Sequence, residues 1–525
     1  NLYKEKNKFS VATSLAGYMS AGSNSKIDTD IVKTSAWSLT NGNKTFTTNR
    51  WNKDLYFNTN IAYGNLHLKV FDIARQQGMW AGPLYVATGN SNLFTNQVVA
   101  SVDYDYKISD NVIITPKAYT NYNYHNFLSQ ETPNGYVSPT SGNYFANGEL
   151  TRESYLSKKY GGEIDILIKA NEHLQILTGS VLENLILSNY SLTRNYQIAG
   201  DINKTSFGNY DSVPYNQNGK KRNVFAYFLQ ANYNIKNLHV TAGLRYDDYS
   251  DFGQSFNPRI GATYKVSKIY NLKGLYGKAF RAPTFSELYD NTTLGNVHGV
   301  KGNTGLKPET ISTYEIANEF NFKKFSVKYN LFYIQNNNLI AVYAPYGGGA
   351  IGVYQNTGNT QTFGNELELN VKVAKNLNVF ANYSQYLTEF TWNDQVASPF
   401  VINFYDKQPS YLKPLANTPT MRINMGVSWQ LKKLELFVGG NYGNACYNNN
   451  RFYLEQSHYA QIPYYIQGNA NIKYTFSKKL MINLMATNIG RKYSDPNESV
   501  NIAAFGVRGM IQPGASVLLN VTYSF

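Results

Sequence analysis

Residues Ala515 to Phe525 read A-S-V-L-L-N-V-T-Y-S-F. Val517, Leu519, Val521, Tyr523 and Phe525 take alternate positions, with Ser516, Asn520, Thr522 and Ser524 between them and Leu518 the one lapse. Successive side chains of an extended strand point to opposite faces, so this stretch has an apolar face and a polar one. About ten residues of that pattern, finished by aromatic rings, is the size of a strand that crosses a bilayer within a β-barrel. A half-buried strand of a soluble sandwich carries the same pattern. The decision rests on whether the chain repeats it.

It does. Phe325, Val327, Tyr329, Leu331 and Tyr333 alternate with Ser326, Lys328 and Asn330. Ile466, Gly468, Ala470, Ile472, Tyr474 and Phe476 alternate with Gln467, Asn469, Asn471, Lys473 and Thr475, and Leu480, Ile482, Leu484 and Ala486 follow in the same rhythm. The connections also alternate in kind. Short Lys/Asn turns fall near 63–65, 109–111, 170–173, 235–238, 266–270, 322–325, 373–376, 431–434 and 476–479. Long segments rich in Gly, Asn, Ser, Pro and Tyr fall near 20–52, 74–93, 126–157, 189–222, 281–310, 337–358, 391–414, 448–460 and 490–514, with a short one near 250–255. Short turns at one end and long loops at the other predict an all-β, transmembrane antiparallel barrel with periplasmic turns and extracellular loops. The pattern predicts about twenty strands, more than a porin of 16–18 needs. The first is expected near Phe9 to Tyr18, with the Lys-rich Leu2 to Lys8 read as one more turn. Were the chain to start at that turn, the strand at 515–525 would stand beside an open edge or be forced onto the strand near 9–18, since an open edge is costly in lipid.

Composition agrees. Of 525 residues, 15% are aromatic, 45 of them Tyr, and only 16% are charged, against roughly 25% in soluble domains. Mean hydropathy is −0.40, and no run approaches the roughly 18 apolar residues of a membrane helix. The single cysteine, Cys446, excludes an intrachain disulfide and a Cys-based metal site. The six His are scattered without ligand spacing, each read as a lone structural or exposed residue. The net charge of +14 permits an anionic ligand or nucleic acid, or simply charge at strand ends. The lysines sit in successive turns, as at Lys236, Lys323, Lys432 and Lys478, and build no single patch, which argues against nucleic acid. No G-x-S-x-G, no H-E-x-x-H and no convincing His/Asp/Ser set points to an enzyme. Asn1 opens onto polar sequence without a signal peptide, so a removed leader or a fragment is expected.

The sharpest local signal lies between Leu275 and Glu319. It reads L-Y-G-K-A-F-R-A-P-T-F-S-E-L-Y-D, then G-N-T-G-L-K-P-E-T, then S-T-Y-E-I-A-N-E-F. Pro283 and Pro308 lack an N–H and suit strand ends. This stretch closely resembles the TonB-dependent outer-membrane receptors, whose barrels carry a similar segment in the corresponding place. Gly243-Leu244-Arg245-Tyr246-Asp247, Asn257-Pro258-Arg259, Phe363-Gly364-Asn365-Glu366 and Asn488-Ile489-Gly490-Arg491-Lys492-Tyr493 look like further family pieces in the same order. The resemblance covers residues 220–525 strongly and the first 220 more weakly.

The resemblance implies a Gram-negative outer-membrane receptor that is a multi-pass barrel, with a terminal Phe read by the barrel assembly machinery. It implies uptake of a scarce nutrient energised by the TonB complex and contact with outer-membrane lipid and lipopolysaccharide. A ferric siderophore leads; cobalamin, haem and a plugless passive channel stay open. Family barrels have 22 strands around a plug, so residues 1–525 are expected to be barrel, with the plug and first hairpin missing. No cofactor is expected. Aromatic rings and a few cations in the outer loops can grip a bulky chelate: Arg281, His298, Tyr343, Tyr346, Tyr354, Trp392, Tyr405 and Arg508 are the candidates, although an ordinary loop or belt role is the first reading of each. Arg281, Pro283 and Glu309 also read as the fastening of a strand-to-loop junction.

Overall fold

The computed structural model describes residues 2–6, 8–22, 26–27, 46–47, 51–78, 91–130, 134–137, 142–195, 211–213, 217–291, 300–343, 352–392, 419–448, 460–462, 464–490 and 515–523. Most of them join a 24-stranded sheet. Tyr106–Ser109, Asp211–Val213 and Val300–Lys301 are short accessory members. The others form an up-and-down antiparallel meander from Leu2–Lys6 to Ser516–Tyr523, each long strand paired with the next along the chain. The sheet is the wall of a β-barrel.

The turns at one end are short and fall at 64–65, 110–111, 170–173, 236–237, 266–269, 322–324, 375–376, 432–433 and 476–479, where the Lys/Asn pattern puts them. Two-residue hairpin turns need φ > 0, which Gly and short polar residues tolerate best. Gly64 supplies it at φ 59°, and Lys236 and Lys432 at 47° and 51°.

Register sorts the two faces. Leu519, Leu484, Ile472, Leu436 and Trp429 stand in one cross-strand row. Leu519 is 61% exposed and Trp429 44%. Such a face is tolerable because its solvent is hydrocarbon. The opposite face is polar: Lys117 pairs with Glu163 at 3.3 Å, Lys159 with Glu183 at 3.0 Å and Lys273 with Glu319 at 2.9 Å. It also closes over glycine. A Cβ at Gly161 would collide with the Tyr119 ring, whose hydroxyl donates to Glu183 at 2.5 Å.

Two expectations change. Leu2–Lys6 is a strand paired with Phe9–Ser20, not a turn. Lysine density marks turns, but it also marks edge strands, where charge discourages unwanted pairing. Strands also run into segments read as loop: Val112–Gln130, Leu150–Lys169, Leu174–Arg194, Phe325–Tyr343 and Gly352–Ala374. Their upper ends stand beyond the bilayer, where the outward face need not be apolar, so alternation disappears while pairing continues. The open edge is found: among the described residues, Ser516–Tyr523 pairs with Leu480–Ile489 alone and Leu2–Lys6 with Phe9–Ser20 alone.

Candidate functional site

Two assemblies stand at the loop end of the wall. The first grows from Arg281, the last residue of the strand Tyr270–Arg281. Thr284 and Glu287 form a capping box around the short helix Phe285–Tyr289: the Thr284 hydroxyl accepts from the Glu287 amide at 3.1 Å, and the Glu287 carboxylate accepts from the Thr284 amide at 2.7 Å. Arg281 reaches the same carboxylate at 3.0 and 3.1 Å and holds Glu309, its cross-strand partner, with two bonds of 2.7 Å. Glu309 also accepts from the Ile340 amide at 2.7 Å. One guanidinium thus ties a strand end, a helix cap and two further strands by bidentate contacts, the geometry only Arg provides.

Arg222 fastens the same loop from the other side. It donates from Nε to both oxygens of Asp251 at 2.8 Å and from Nη2 to the Pro283 carbonyl at 2.7 Å, with the Phe285 and Phe252 rings 4.9 and 5.1 Å from the guanidinium. The Arg222 and Asp251 side chains are 7% and 5% exposed. Behind the helix, Gly302 lies so close that a Cβ would stand 2.5 Å from the Tyr289 amide nitrogen. Asn303 donates to the Tyr354 carbonyl at 3.0 Å, and Asn356 exchanges two 3.0 Å bonds with the Lys307 backbone. Leu288 and Leu306 are buried beneath. The described parts of 281–308 therefore form a fastened ledge over the lumen. Burial, aided by the Asp251 carboxylate, pushes the Tyr289 phenol above its ordinary range, and the Lys220 ammonium lies 4.6 Å over its ring.

The second assembly is a ladder of rings. His125 and Tyr155 face each other across neighbouring strands, stacked at 4.7 Å and 11°. Tyr190 stacks on Tyr155 at 5.7 Å and 6°, and its hydroxyl donates to Glu153 at 2.6 Å. Tyr190 arrives there through a bulge: Asn189 has φ 55°, and the register shifts between Ser154 and Leu156. His125 and Tyr155 share the lumen face with Lys117, Tyr119 and Lys159. His125 is over ten residues up its strand from the turn at 110–111, beyond the about ten that cross a bilayer, so the ladder stands in the mouth of the lumen.

The sequence candidates divide. Arg281 is in the ledge with both carboxylates engaged. Tyr343 and Tyr354 are not loop residues but sit on adjacent strand ends, Tyr343 opposite Val353 and Tyr354 opposite Val342. Trp392 ends the strand Leu377–Trp392 opposite Gly358, and its side chain lies outside the described residues. His298, Tyr346, Tyr405 and Arg508 also lie outside them. The ladder was missed because His125 is isolated in sequence; only the register reveals its partners. Arg222 was missed because it ends a K-K-R run that reads as ordinary rim charge.

The comparisons agree with this architecture. A family model described as TonB dependent receptor-like, beta-barrel, matches residues 33–489. The ferric enterobactin receptor PirA of Pseudomonas aeruginosa is 24% identical over 338 residues, covering 57% of this chain and 43% of that protein, so the match spans less than half of the relative. The solved siderophore receptor PirA of Acinetobacter baumannii matches with a TM-score of 0.69 at 15% identity, over 99% of this chain and 76% of that one. The copper transporter OprC matches at 0.70 and 12% identity, over 99% and 76%. The shared fold therefore accompanies cargoes of different kinds. The chain belongs to the TonB-dependent receptor family, and its described strands are those of that family's β-barrel.

Proposed function

We propose that the protein is an outer-membrane receptor of a Gram-negative cell that takes up a ferric siderophore with energy delivered through the TonB complex. The observation that carries this reading is the ring ladder in the lumen mouth. His125, Tyr155 and Tyr190 offer aromatic surface above the level of the bilayer, and Tyr354, beside the ledge, adds one more ring. Stacked and cation–π contacts suit a bulky, partly aromatic metal chelate. Siderophore receptors among the relatives support the same cargo.

The test is uptake by iron-starved cells carrying or lacking the full gene, each with and without TonB, offered labelled ferric chelates, haem and cobalamin. The reading expects gene- and TonB-dependent accumulation of at least one ferric siderophore. Uptake confined to cobalamin or haem would move the protein to those receptor classes. Uptake that ignores TonB would make it a passive channel.

A further inference from the structure

Below the ring ladder, on the neighbouring strands, the lumen wall carries a cavity of about 450 Å³ lined by Glu163, Phe228, Gln230, Arg245, Asn257 and Arg259. Register places these residues on the polar face. Glu163, Val181, Ala226 and Asp247 form one cross-strand row, and Arg245 with its partner Asn257 stands two residues along from it. Arg259 follows two residues further on, flanked across both ladders by glycine, Gly243 and Gly277. A Cβ at Gly243 would stand 3.3 Å from Arg259 Nε, and one at Gly277 would meet nothing within 4 Å, so the two glycines give the guanidinium room. The Phe228 ring lies over Gly179, where a Cβ would come within 2.6 Å of it. The strand of Arg245 starts at Leu238 and that of Arg259 ends at Lys265, so both arginines lie within the about ten residues that cross a bilayer.

The charges of this cavity do not cancel. Lys117, Lys159 and Lys273 on the same face each hold a carboxylate, and Glu163 is the one that Lys117 holds, at 3.3 Å. Arg245 is fixed by Asp247, which accepts from Nε at 2.9 and 3.1 Å and from Nη2 at 2.8 Å and whose side chain is 2% exposed. Arg259 is different. Among the described residues no carboxylate lies within ion-pair distance of it, and it donates from Nη2 to the Gln230 carboxamide oxygen. No described hydrogen bond uses Nε or Nη1 of Arg259, or Nη1 of Arg245. Two arginines on adjacent strands, offset by two residues on one face, are diagonal neighbours within about 8 Å. A cation left without a counter-charge at membrane depth is costly, and where it faces water it marks the path of a ligand.

We propose that this cavity is a carboxylate station on the path of the cargo: Arg259 and the free edge of Arg245 take one carboxylate of a descending chelate, and the Phe228 ring carries part of its organic body. The guanidinium fork matches a planar, two-oxygen anion, which a point charge does not. An aromatic floor with a few converging polar groups is the make-up of a small-molecule site. Asp247 keeps Arg245 in place and takes up its charge, so Arg259 supplies the attraction and Arg245 the second donor edge. The station rests on the receptor reading above and narrows its cargo to chelates that carry a free or labile carboxylate.

Two experiments on the full gene product separate the site from its role. In the purified protein, an arginine-selective dicarbonyl reads the reactivity of Arg259 by peptide mass spectrometry, with citrate as the carboxylate probe. Citrate should slow modification of Arg259 at least fivefold, and chloride at matched ionic strength should not. Equal slowing by both salts would reduce the effect to screening and overturn the site. Arg259 that is unreactive without citrate, and reactive once the protein is unfolded, would mean that the chain's own atoms fill the cavity, which overturns the cargo assignment. In cells, Arg259→Gln and Arg259→Lys are offered the chelate that the unaltered protein accumulates. Binding at the surface of TonB-deficient cells should change less than twofold, because the mouth is intact. The uptake rate should fall at least fivefold in Arg259→Gln and less in Arg259→Lys. Uptake that keeps its rate, or surface binding that falls as far as uptake, would overturn the proposal. Absence of gene-dependent uptake of any chelate would refute the receptor reading and the transit role with it, while citrate protection still decides the anion site.

Discussion

Replacing Arg222 with Met should loosen the ledge without disturbing the barrel. The side chain fits the space but removes three hydrogen bonds, two to Asp251 and one to the Pro283 carbonyl. The screening that empties exposed ion pairs does not apply, because the two side chains are 7% and 5% exposed. Removing one partner of a buried, hydrogen-bonded pair costs about 3–5 kcal/mol, mostly for the charge left behind. At 1.4 kcal/mol per tenfold, local opening should rise by about 10²- to 4 × 10³-fold. Hydrogen exchange reads it at four amides: Leu288 and Asp290, bonded to Thr284 and Ser286, and Gly302 and Asn303, bonded to Asp290 and Glu287. Amides within the strand Leu238–Tyr249 serve as the control. Adding Asp251→Leu removes the stranded charge and should recover most of the loss. Unchanged exchange at the four amides in Arg222→Met, or equal opening in the single and double variants, would refute the buried pair as the fastening.

Other expectations follow from the same geometry. Arg281→Lys keeps the charge but cannot hold Glu287 and Glu309 together; it should cost about 1–2 kcal/mol of local stability, seen as faster exchange at the Ile340 amide. Gly302→Ala forces a Cβ against the backbone of residues 288–290, and the overpacking should cost about 1–3 kcal/mol, read at Leu288 and Asp290. Tyr155→Ala removes the middle ring of the ladder. At about 0.5–1.5 kcal/mol for each lost stacking contact, the half-saturating chelate concentration in uptake should rise several-fold, with the unheated barrel migrating normally on a gel.

What could be read before folding was what depends on near neighbours in sequence. The turn at Lys236-Asn237 and the alternation of Val517, Leu519 and Val521 need only local chemistry and the period of a strand. The top of the wall was illegible for a physical reason. Above the bilayer nothing demands an apolar outer face, so Tyr343 and Tyr354 sit on paired strands whose sequence reads as loop. The ladder and the fastenings depend on register: His125 meets Tyr155, and Arg281 meets Glu309, only because particular strands pair in a particular frame. Leu2–Lys6 shows the reverse difficulty, since lysine is at home both in turns and along an exposed edge.

The central claim is that the lumen mouth around the ring ladder receives the chelate, while the neighbouring outward face is in lipid. A Cys446→Ser background gives single-cysteine variants Tyr155→Cys on the ladder and Leu182→Cys on the outer wall. Intact cells would be treated with a membrane-impermeant maleimide, with and without the ferric siderophore they accumulate. The account predicts that Tyr155→Cys is labelled and that saturating siderophore protects it, while Leu182→Cys stays unlabelled in both conditions. Labelling of Tyr155→Cys that saturating siderophore leaves unchanged, or ready labelling of Leu182→Cys, would contradict it.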